Sequence, residues 1–283
     1  MGTLVTIHVV RSDAKVDAAI DRAFGWFHEI EARCTRFIPE SELMQLTAQA
    51  GVPVPASPIL YQAVQFALMV AEESGGAFDP TVGHRMEARG FNREHRTGEI
   101  VRSSIAPDND VSYRDVQLDP DRKTITLLRP LTLDLGAVAK GLAVDTAVRE
   151  LEPFKDFAID AGGDLYLGGS NPQDTPWSVG IRHPRRDDQL IESLCVSNQA
   201  VCTSGDYERR PHILDPRTKT SSDTVASATV VASSAMLADA LATAAFVLGP
   251  DQGIGLLTRL GVEGLIVTPD LKRYETRDLC RAA

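Results

Sequence analysis

Residues 226–243 read Ala-Ser-Ala-Thr-Val-Val-Ala-Ser-Ser-Ala-Met-Leu-Ala-Asp-Ala-Leu-Ala-Thr. The first six residues form a short run bounded by turn residues, which predicts a strand. From Ser234 onward the sequence predicts a helix, which extends beyond the quoted stretch to residue 248. On this helix Asp239 and Thr243 lie four residues apart, so both side chains are on one face, one turn from each other. A carboxylate and a hydroxyl side by side are hard oxygen ligands that suit Mg²⁺.

The segments upstream predict many short strands and a few longer helices. Apolar side chains at helical spacing predict helices over residues 13–33 and 59–73, and a further helix starts near Ala137. Short runs separated by turn residues favour antiparallel sheet, and they lie at 157–159, 165–167, 177–181, 191–196, 200–202 and 212–214. We therefore expect an α+β fold, a single domain over residues 1–283 with a charged surface loop at about 91–110.

Composition limits the possible partners and location of the chain. Its 283 residues are 43% hydrophobic, which is enough for a full core. The net charge of −10, with acids and bases interspersed, argues against a nucleic-acid partner. Apolar runs stay shorter than a membrane span, and the four cysteines form no C-x-x-C pair. We expect a cytoplasmic protein without membrane insertion, or a periplasmic one if an N-terminal extension has been removed.

Residues 133–145, Leu-Asp-Leu-Gly-Ala-Val-Ala-Lys-Gly-Leu-Ala-Val-Asp, predict a glycine turn that opens a helix. Lys140 lies in the first turns of that helix. Backbone N–H groups, a lysine and a nearby cation are what a pyrophosphate needs. Taken alone, the segment is slightly more typical of a core helix with a solvated lysine.

Three further segments combine turn residues with polar side chains. Asp79 can cap a helix that begins at Pro80, although a capped helix start needs no ligand. Residues 160–164, Asp-Ala-Gly-Gly-Asp, join two strands through glycines that would let a ligand approach the backbone. His212 follows the polar turn at residues 203–209; it is either a satisfied structural histidine or, given these neighbours, a functional one.

These ordered segments resemble the ApbE family, the FAD:protein FMN transferases. The resemblance covers nearly the whole chain and is carried by residues 1–3, 41–43, 78–83, 133–145, 162–164, 203–207, 212–218 and 238–243. It implies an ApbE-like fold with mainly antiparallel sheets flanked by helices and an FAD site in a cleft between two lobes. It also implies Mg²⁺-dependent transfer of the FMN half of FAD to a threonine or serine hydroxyl of an acceptor protein, with release of AMP.

The resemblance also assigns roles to individual residues. Asp239 and Thr243 match side-chain ligands of Mg²⁺, and Ala137 matches a residue that lends its backbone carbonyl. His212 and Asp239 match catalytic positions. The positions implied for FAD binding are Met1, Thr47, Phe78, Asp79, Lys140, Asp160, Gly162, Gly163, Thr203, Ser204, Gly205 and Asp206. Acceptors in the family carry an Asp-x-x-(Ser/Thr)-Gly-Ala-(Ser/Thr)-like motif, which this chain lacks.

The chain departs from the family pattern at three places. Thr47 stands where an asparagine or an aromatic residue is usual. Residues 84–91, His-Arg-Met-Glu-Ala-Arg-Gly-Phe, are more charged than the apolar stretch expected there, which suggests different flavin or acceptor contacts. Lys219 replaces a glycine in a turn. Two other hypotheses remain open beside the transferase: an Mg²⁺-dependent FAD diphosphatase that yields FMN and AMP, and a non-catalytic FAD-binding protein.

Overall fold

The structure, a computed structural model, describes residues 2–11, 14–103, 110–207 and 213–281. Within these ranges the chain forms seven α-helices and twelve β-strands. The helices are α1 (Val16–Cys34), α2 (Glu42–Thr47), α3 (Pro58–Glu73), α4 (Gly83–Ala88), α5 (Gly136–Leu151), α6 (Ala235–Leu248) and α7 (Pro250–Arg259). The strands are β1 (Val5–Val9), β2 (Val54–Pro55), β3 (Val116–Asp119), β4 (Thr124–Leu127), β5 (Phe157–Ala161), β6 (Leu165–Gly168), β7 (Trp177–Arg182), β8 (Leu190–Val196), β9 (Gln199–Gly205), β10 (Ser227–Ala232), β11 (Glu263–Val267) and β12 (Arg273–Glu275).

A seven-stranded antiparallel sheet organises the molecule. Its strand order is β1-β5-β6-β9-β10-β11-β12, and every neighbouring pair is antiparallel. A three-stranded sheet, β2-β4-β3, and the β7–β8 hairpin are antiparallel as well. The short strands and tight turns read from the sequence therefore form the antiparallel sheets expected of an α+β fold.

The two faces of the large sheet are covered by different partners. On one face, Cys202 of β9 and Val230 of β10 belong to the main core with α5 and α6. On the other face, Val201 and Val231 pack with Val179 and Leu194 of the β7–β8 hairpin. Because side chains alternate along a strand, consecutive residues of β9 serve different cores.

Helices α5 and α6 approach each other closely at Gly141. A Cβ atom built on Gly141 would collide with backbone atoms of Ala235 and Met236 at the start of α6. One turn further along α5, the carboxylate of Asp145 accepts the backbone N–H groups of Ala235 (2.7 Å) and Met236 (3.0 Å). These are donors that a helix leaves without intrahelical partners at its first turn. The contact fixes where α6 begins, and hence where its later residues lie.

Helix α1 has the amphipathic pattern that its sequence predicts. Its buried positions include Val16, Ala23, Phe27 and Ile30, which recur at helical spacing toward the core. The apolar helix α6 has 14 residues and is buried along nearly its whole length. In the parts of the chain that are described, we find no helix both long and apolar enough to cross a bilayer.

Some local predictions need correction. Helix α2, six residues long, was not predicted, because so short a helix shows little periodicity. The helix predicted to begin at Pro80 does form: Asp79 caps a 3₁₀ turn over Pro80–Val82, which continues directly into α4. The strand expected at 212–214 is absent from its described part: Leu214 makes only an isolated bridge to Ser221, since the chain turns at Asp215–Lys219. His212 and residues 104–109 of the predicted charged loop lie outside the described ranges.

Candidate functional site

The predicted residues Lys140 and Asp239 meet between α5 and α6. The ammonium of Lys140 lies 3.3 Å from Oδ2 of Asp239, although the two residues are 99 positions apart. Its other partner is Oδ2 of Asp164, in the turn between β5 and β6. Both carboxylates are buried, with 3% of Asp164 and 7% of Asp239 exposed. One ammonium between two buried carboxylates leaves this cluster one negative charge in excess, which favours a further cation.

Helix α6 adds hydroxyl oxygens to the cluster. Thr243 lies one turn after Asp239, and its Oγ1 is 3.2 Å from Oγ of Ser204 on β9. Thr203 faces the other way: its hydroxyl pairs with that of Thr229 at 2.9 Å on β10, on the face that carries the β7–β8 hairpin. The structure thus brings Lys140, Ser204, Asp239 and Thr243 together and directs the Thr203 side chain away from them.

Ala137 occupies a distorted turn at the start of α5. Its φ of −90° and ψ of 16° are not helical, so its carbonyl is rotated away from the hydrogen-bond ladder of the helix. The turn is held by Asp134, which accepts the N–H of Gly136 (2.8 Å) and a bond from Nε of the buried Arg36 (2.7 Å). A carbonyl turned off a helix axis can serve as a ligand, as the family resemblance implies for this residue.

The β5–β6 turn depends on its two glycines. Gly162 and Gly163 have φ angles of 67° and 95°, a region that favours glycine. Oδ1 of Asp160 accepts the N–H of Gly163 at 2.9 Å and closes the turn that carries Asp164. A Cβ atom on Gly162 would collide with the hydroxyl of Thr3, so the N-terminal segment runs beside this turn. Met1 lies outside the described residues.

Phe78, Asp79 and Thr47 are buried, and their polar groups bond to nearby protein atoms. Asp79 accepts bonds from the N–H (2.9 Å) and hydroxyl (2.7 Å) of Thr81 and from the N–H of Tyr113 (3.0 Å). Burial raises the pKa of Asp79 above its ordinary value, against the effect of these bonds. The Thr47 hydroxyl donates to the carbonyl of Leu43 at 2.9 Å within α2. Among the described residues, none of the three hydrogen-bonds to the Lys140 cluster.

Gly205 and Asp206 lie at the end of β9. A Cβ atom on Gly205 would come within 2.6 Å of the Tyr207 ring, so a larger residue here would require the Tyr207 side chain to move. Asp206 forms a two-point ion pair with Arg185, at 2.7 and 2.8 Å, which ties the segment to the β7–β8 hairpin. The Asp206 carboxylate raises the pKa of Arg185. His212, six residues further on, is outside the described part of the chain.

The cluster offers a donor set that fits Mg²⁺. Asp239 and Thr243 supply a carboxylate and a hydroxyl one turn apart, and Ala137 has a carbonyl turned off its helix. All three are oxygen ligands, the type that Mg²⁺ prefers. The described residues hold no group of three or more His, Cys, Asp or Glu side chains suited to a metal. The ligand set suggested here combines one carboxylate with a hydroxyl and a carbonyl oxygen.

Two residues that contribute to this region could not be identified from the sequence. Asp164 contacts Lys140 and Asp145 caps α6, but neither was assigned a role. The Gly-Gly-Asp turn was noticed, yet its partner lies on α5, 24 positions earlier. A sequence pattern cannot show which distant charge a carboxylate will meet.

Comparison with known proteins identifies the class to which this chain and its fold belong. A sequence model of the ApbE family matches residues 1–266. A protein of Treponema pallidum named FAD:protein FMN transferase is 33% identical over 315 aligned positions, which cover 95% of this chain and 83% of that protein. The FAD:protein FMN transferase of Escherichia coli K12 is 26% identical, with coverage of 98% and 84%.

Solved structures give the same result. The flavin transferase ApbE from Vibrio cholerae superposes with a TM-score of 0.84 at 25% identity, covering 98% of this chain and 94% of that one. The ApbE protein of Thermotoga maritima superposes with a TM-score of 0.83 at 27% identity, covering 97% and 96%. The α+β fold is that of the flavin transferase structures, as predicted. The chain belongs to the ApbE family, which confirms the resemblance read from its motifs.

Proposed function

We propose that this protein is an Mg²⁺-dependent FAD:protein FMN transferase, which moves the FMN moiety of FAD to a serine or threonine hydroxyl of an acceptor protein and releases AMP. The observation that carries the proposal is the meeting of Lys140, Asp239 and Thr243 in a chain that belongs to the ApbE family. A relative that is 33% identical bears the name of this activity.

The proposed reaction exchanges the phosphoanhydride bond between the two halves of FAD for a phosphoester bond to the acceptor. The acceptor oxygen forms a bond to the phosphorus of the FMN half, and the bond from that phosphorus to the oxygen of the AMP half breaks. AMP leaves with the bonding electron pair, and the acceptor hydroxyl loses its proton. His212 is the residue we expect to take that proton, since an imidazole can accept one near neutral pH.

The residues of the cluster would bind and orient the pyrophosphate. Lys140 supplies a fixed positive charge because Asp164 and Asp239 hold its ammonium from two sides. Asp239, Thr243 and the carbonyl of Ala137 would hold Mg²⁺, which neutralises phosphate charge and stabilises the transition state when bound. The remaining predicted FAD contacts, from Met1 and Thr47 to Asp206, are part of this proposal.

Two alternatives share the same binding site. If water enters in place of the acceptor hydroxyl, the same groups would make an FAD diphosphatase. If neither nucleophile reacts, the protein would only bind FAD. The Asp239–Thr243 pair favours the enzymatic readings, since storage of FAD does not require a metal at the pyrophosphate.

The test incubates the protein with FAD and Mg²⁺, with and without a small acceptor domain that bears the family's motif. AMP release and the mass of the acceptor are measured. Asp239→Asn is the test variant, and Asp251→Asn, at an exposed position of α7, is the matched control. We expect an FMN mass on the acceptor with the parent and the control, and a loss of at least about 100-fold with Asp239→Asn.

Each outcome separates the hypotheses. Release of AMP and FMN without modification of the acceptor would indicate that the protein is an FAD diphosphatase and not a transferase. If FAD remains bound and intact, only the hypothesis of a non-catalytic FAD-binding protein would remain. Equal transfer by Asp239→Asn and the parent would remove Asp239 from the proposed site.

A further inference from the structure

Two of the four cysteines lie opposite each other on neighbouring segments of the chain. The backbone N–H of Cys195, on β8, donates to the carbonyl of Cys280 at 3.0 Å. Their neighbours Leu194 and Arg281 form an antiparallel bridge. Position 195 therefore faces position 280 in the same register, although β9 to β12 lie between the two cysteines in the sequence.

The two cysteine side chains point to the same face of the β7–β8 hairpin. On β8, Leu194 and Val196 are buried in the core between the hairpin and the large sheet. Leu279, in the C-terminal segment, is buried in the same core. Because side chains alternate along an extended chain, Cys195 and Cys280 point away from that core. Their exposure agrees with this, since Cys280 is exposed and Cys195 is partly exposed.

The C-terminal segment is attached to the hairpin on both sides of Cys280. Leu279 is buried, and Nε of Arg281 lies 2.9 Å from Oε2 of Glu192 on β8. The Arg281 side chain is 45% exposed, so this ion pair contributes little to stability. A covalent bond at Cys280 would therefore strengthen an attachment that otherwise depends on one buried leucine and a few hydrogen bonds.

Opposed positions on antiparallel strands have the spacing that a disulfide requires. Their Cα atoms lie about 4.5–5.5 Å apart, and a disulfide spans a Cα separation of about 4.4–6.8 Å. The other two cysteines, Cys34 and Cys202, are buried, and burial raises the pKa of both thiols. A thiol that keeps its proton is a poor nucleophile, so these two should not compete with the opposed pair.

We propose that Cys195 and Cys280 form a disulfide that links the C-terminal segment to the β7–β8 hairpin when a small-molecule disulfide, such as glutathione disulfide, acts as the oxidant. One protein thiolate attacks the oxidant, forms a mixed disulfide and releases one small thiol. The other thiolate attacks the protein sulfur of that mixed disulfide and releases the second small thiol. The protein thiols lose two electrons and two protons, and the oxidant gains them as its two thiol products.

The bond would close a loop that contains β9, β10 and the whole of α6. A disulfide that closes a long loop stabilises the folded state mainly because it restricts the unfolded chain. The two sulfur atoms lie on the outer face of the hairpin, so the bond does not require the core to move. The proposal goes beyond FMN transfer and does not depend on it.

The experiment equilibrates the protein in glutathione buffers from reduced to oxidised, and then blocks the remaining thiols with iodoacetamide. Peptide mapping by mass spectrometry identifies the linked cysteines, and non-reducing electrophoresis shows whether a link joins two molecules. Cys195→Ser and Cys280→Ser each remove one partner.

The matched control is the double variant Cys195→Ser/Ser193→Cys. It keeps a cysteine on the same face of β8 but moves it two residues along the strand. Diagonal positions on paired strands are about 7–8 Å apart, which exceeds the span of a disulfide.

We expect the oxidised parent to give a monomer with one linked Cys195–Cys280 peptide and with Cys34 and Cys202 unlinked. Its midpoint of thermal unfolding should rise by at least about 5 °C and return to the starting value after reduction with dithiothreitol. The two serine variants and the double variant should show neither the linked peptide nor the rise.

The proposal is overturned if both thiols of the oxidised parent carry only glutathione, or if links form only between different molecules. It is also overturned if the double variant forms an internal link as readily as the parent, since the register would then not matter. None of these measurements uses FAD or an acceptor, so their outcome is independent of whether the protein transfers FMN.

Discussion

The ammonium of Lys140 lies 3.3 Å from Oδ2 of Asp239 and also contacts Asp164. This ion pair joins α5, α6 and the β5–β6 turn at one point. A lysine side chain normally samples many rotamers, and holding it from two sides restricts that freedom before any ligand binds. The positive charge proposed to meet the pyrophosphate is therefore positioned by the fold.

The first prediction concerns the balance of charge in this cluster. Replacement of Lys140 by Met leaves Asp164 and Asp239 buried without their ammonium, and removing one partner of a buried ion pair is costly. We expect Lys140→Met to lower the free energy of unfolding by about 3 kcal/mol at neutral pH. Urea denaturation measures this, with Lys140→Arg as the variant that keeps the charge. A Lys140→Met protein as stable as the parent would contradict the ion-pair assignment.

The second prediction concerns the start of α6. Asp145 accepts two N–H groups from the first turn of that helix, and loss of a capping side chain costs about 1–2 kcal/mol. We expect Asp145→Ala to show this loss in urea denaturation. Asp145→Asn keeps one acceptor oxygen and should lose less. If both variants unfold at the parent's midpoint, the carboxylate does not hold the helix.

Local patterns in the sequence predict the elements but only part of the site. Helix α6 follows from its composition and from Ser234, whose hydroxyl accepts the N–H of Leu237 at its first turn. The spacing of Asp239 and Thr243 on one face follows directly from the helix period. These features depend on residues a few positions apart, which a sequence displays.

The contacts that complete the site are formed by residues far apart in the chain. Lys140 pairs with Asp239 across 99 positions, and Asp145 caps a helix that begins 90 positions later. Such contacts depend on how α5 packs on α6, which requires the close approach at Gly141. A single sequence does not contain that geometry, so Asp164 and Asp145 could not be assigned roles from it.

The third prediction tests that close approach. A Cβ atom on Gly141 would meet backbone atoms of Ala235 and Met236, which cannot move aside as a side chain can. We expect Gly141→Ala to destabilise the protein by about 2–3 kcal/mol through overpacking. Gly255→Ala is the matched control, because nothing lies within 4 Å of that Cβ position in α7.

The control substitution should have the opposite effect on the stability of the protein. Alanine is favoured over glycine within a helix, so Gly255→Ala should stabilise the protein by up to about 1 kcal/mol. Thermal unfolding of the two variants measures both effects. A Gly141→Ala protein as stable as the Gly255→Ala protein would show that α5 and α6 can separate at no cost.

The fourth prediction concerns a buried thiol. Burial raises the pKa of Cys34 to about 12, whereas an unfolded cysteine has a pKa of about 8.5. The folded state keeps this proton longer, so the stability from Cys34 is fully present below pH 8.5 and is lost as the pH rises toward 12. At pH 10, about 1.5 units above the unfolded pKa, the loss should be about 2 kcal/mol.

Urea denaturation under reducing conditions at pH 7.5 and pH 10 measures this loss. Cys34→Ala removes the titrating group, so its deficit relative to the parent should be about 2 kcal/mol smaller at pH 10 than at pH 7.5. Cys280→Ala, at an exposed cysteine, should follow the parent at both values. If the difference between Cys34→Ala and the parent is the same at the two pH values, the thiol ionises as readily in the folded protein as in the unfolded chain. The desolvated position of the Cys34 side chain at the end of α1 would then be wrong.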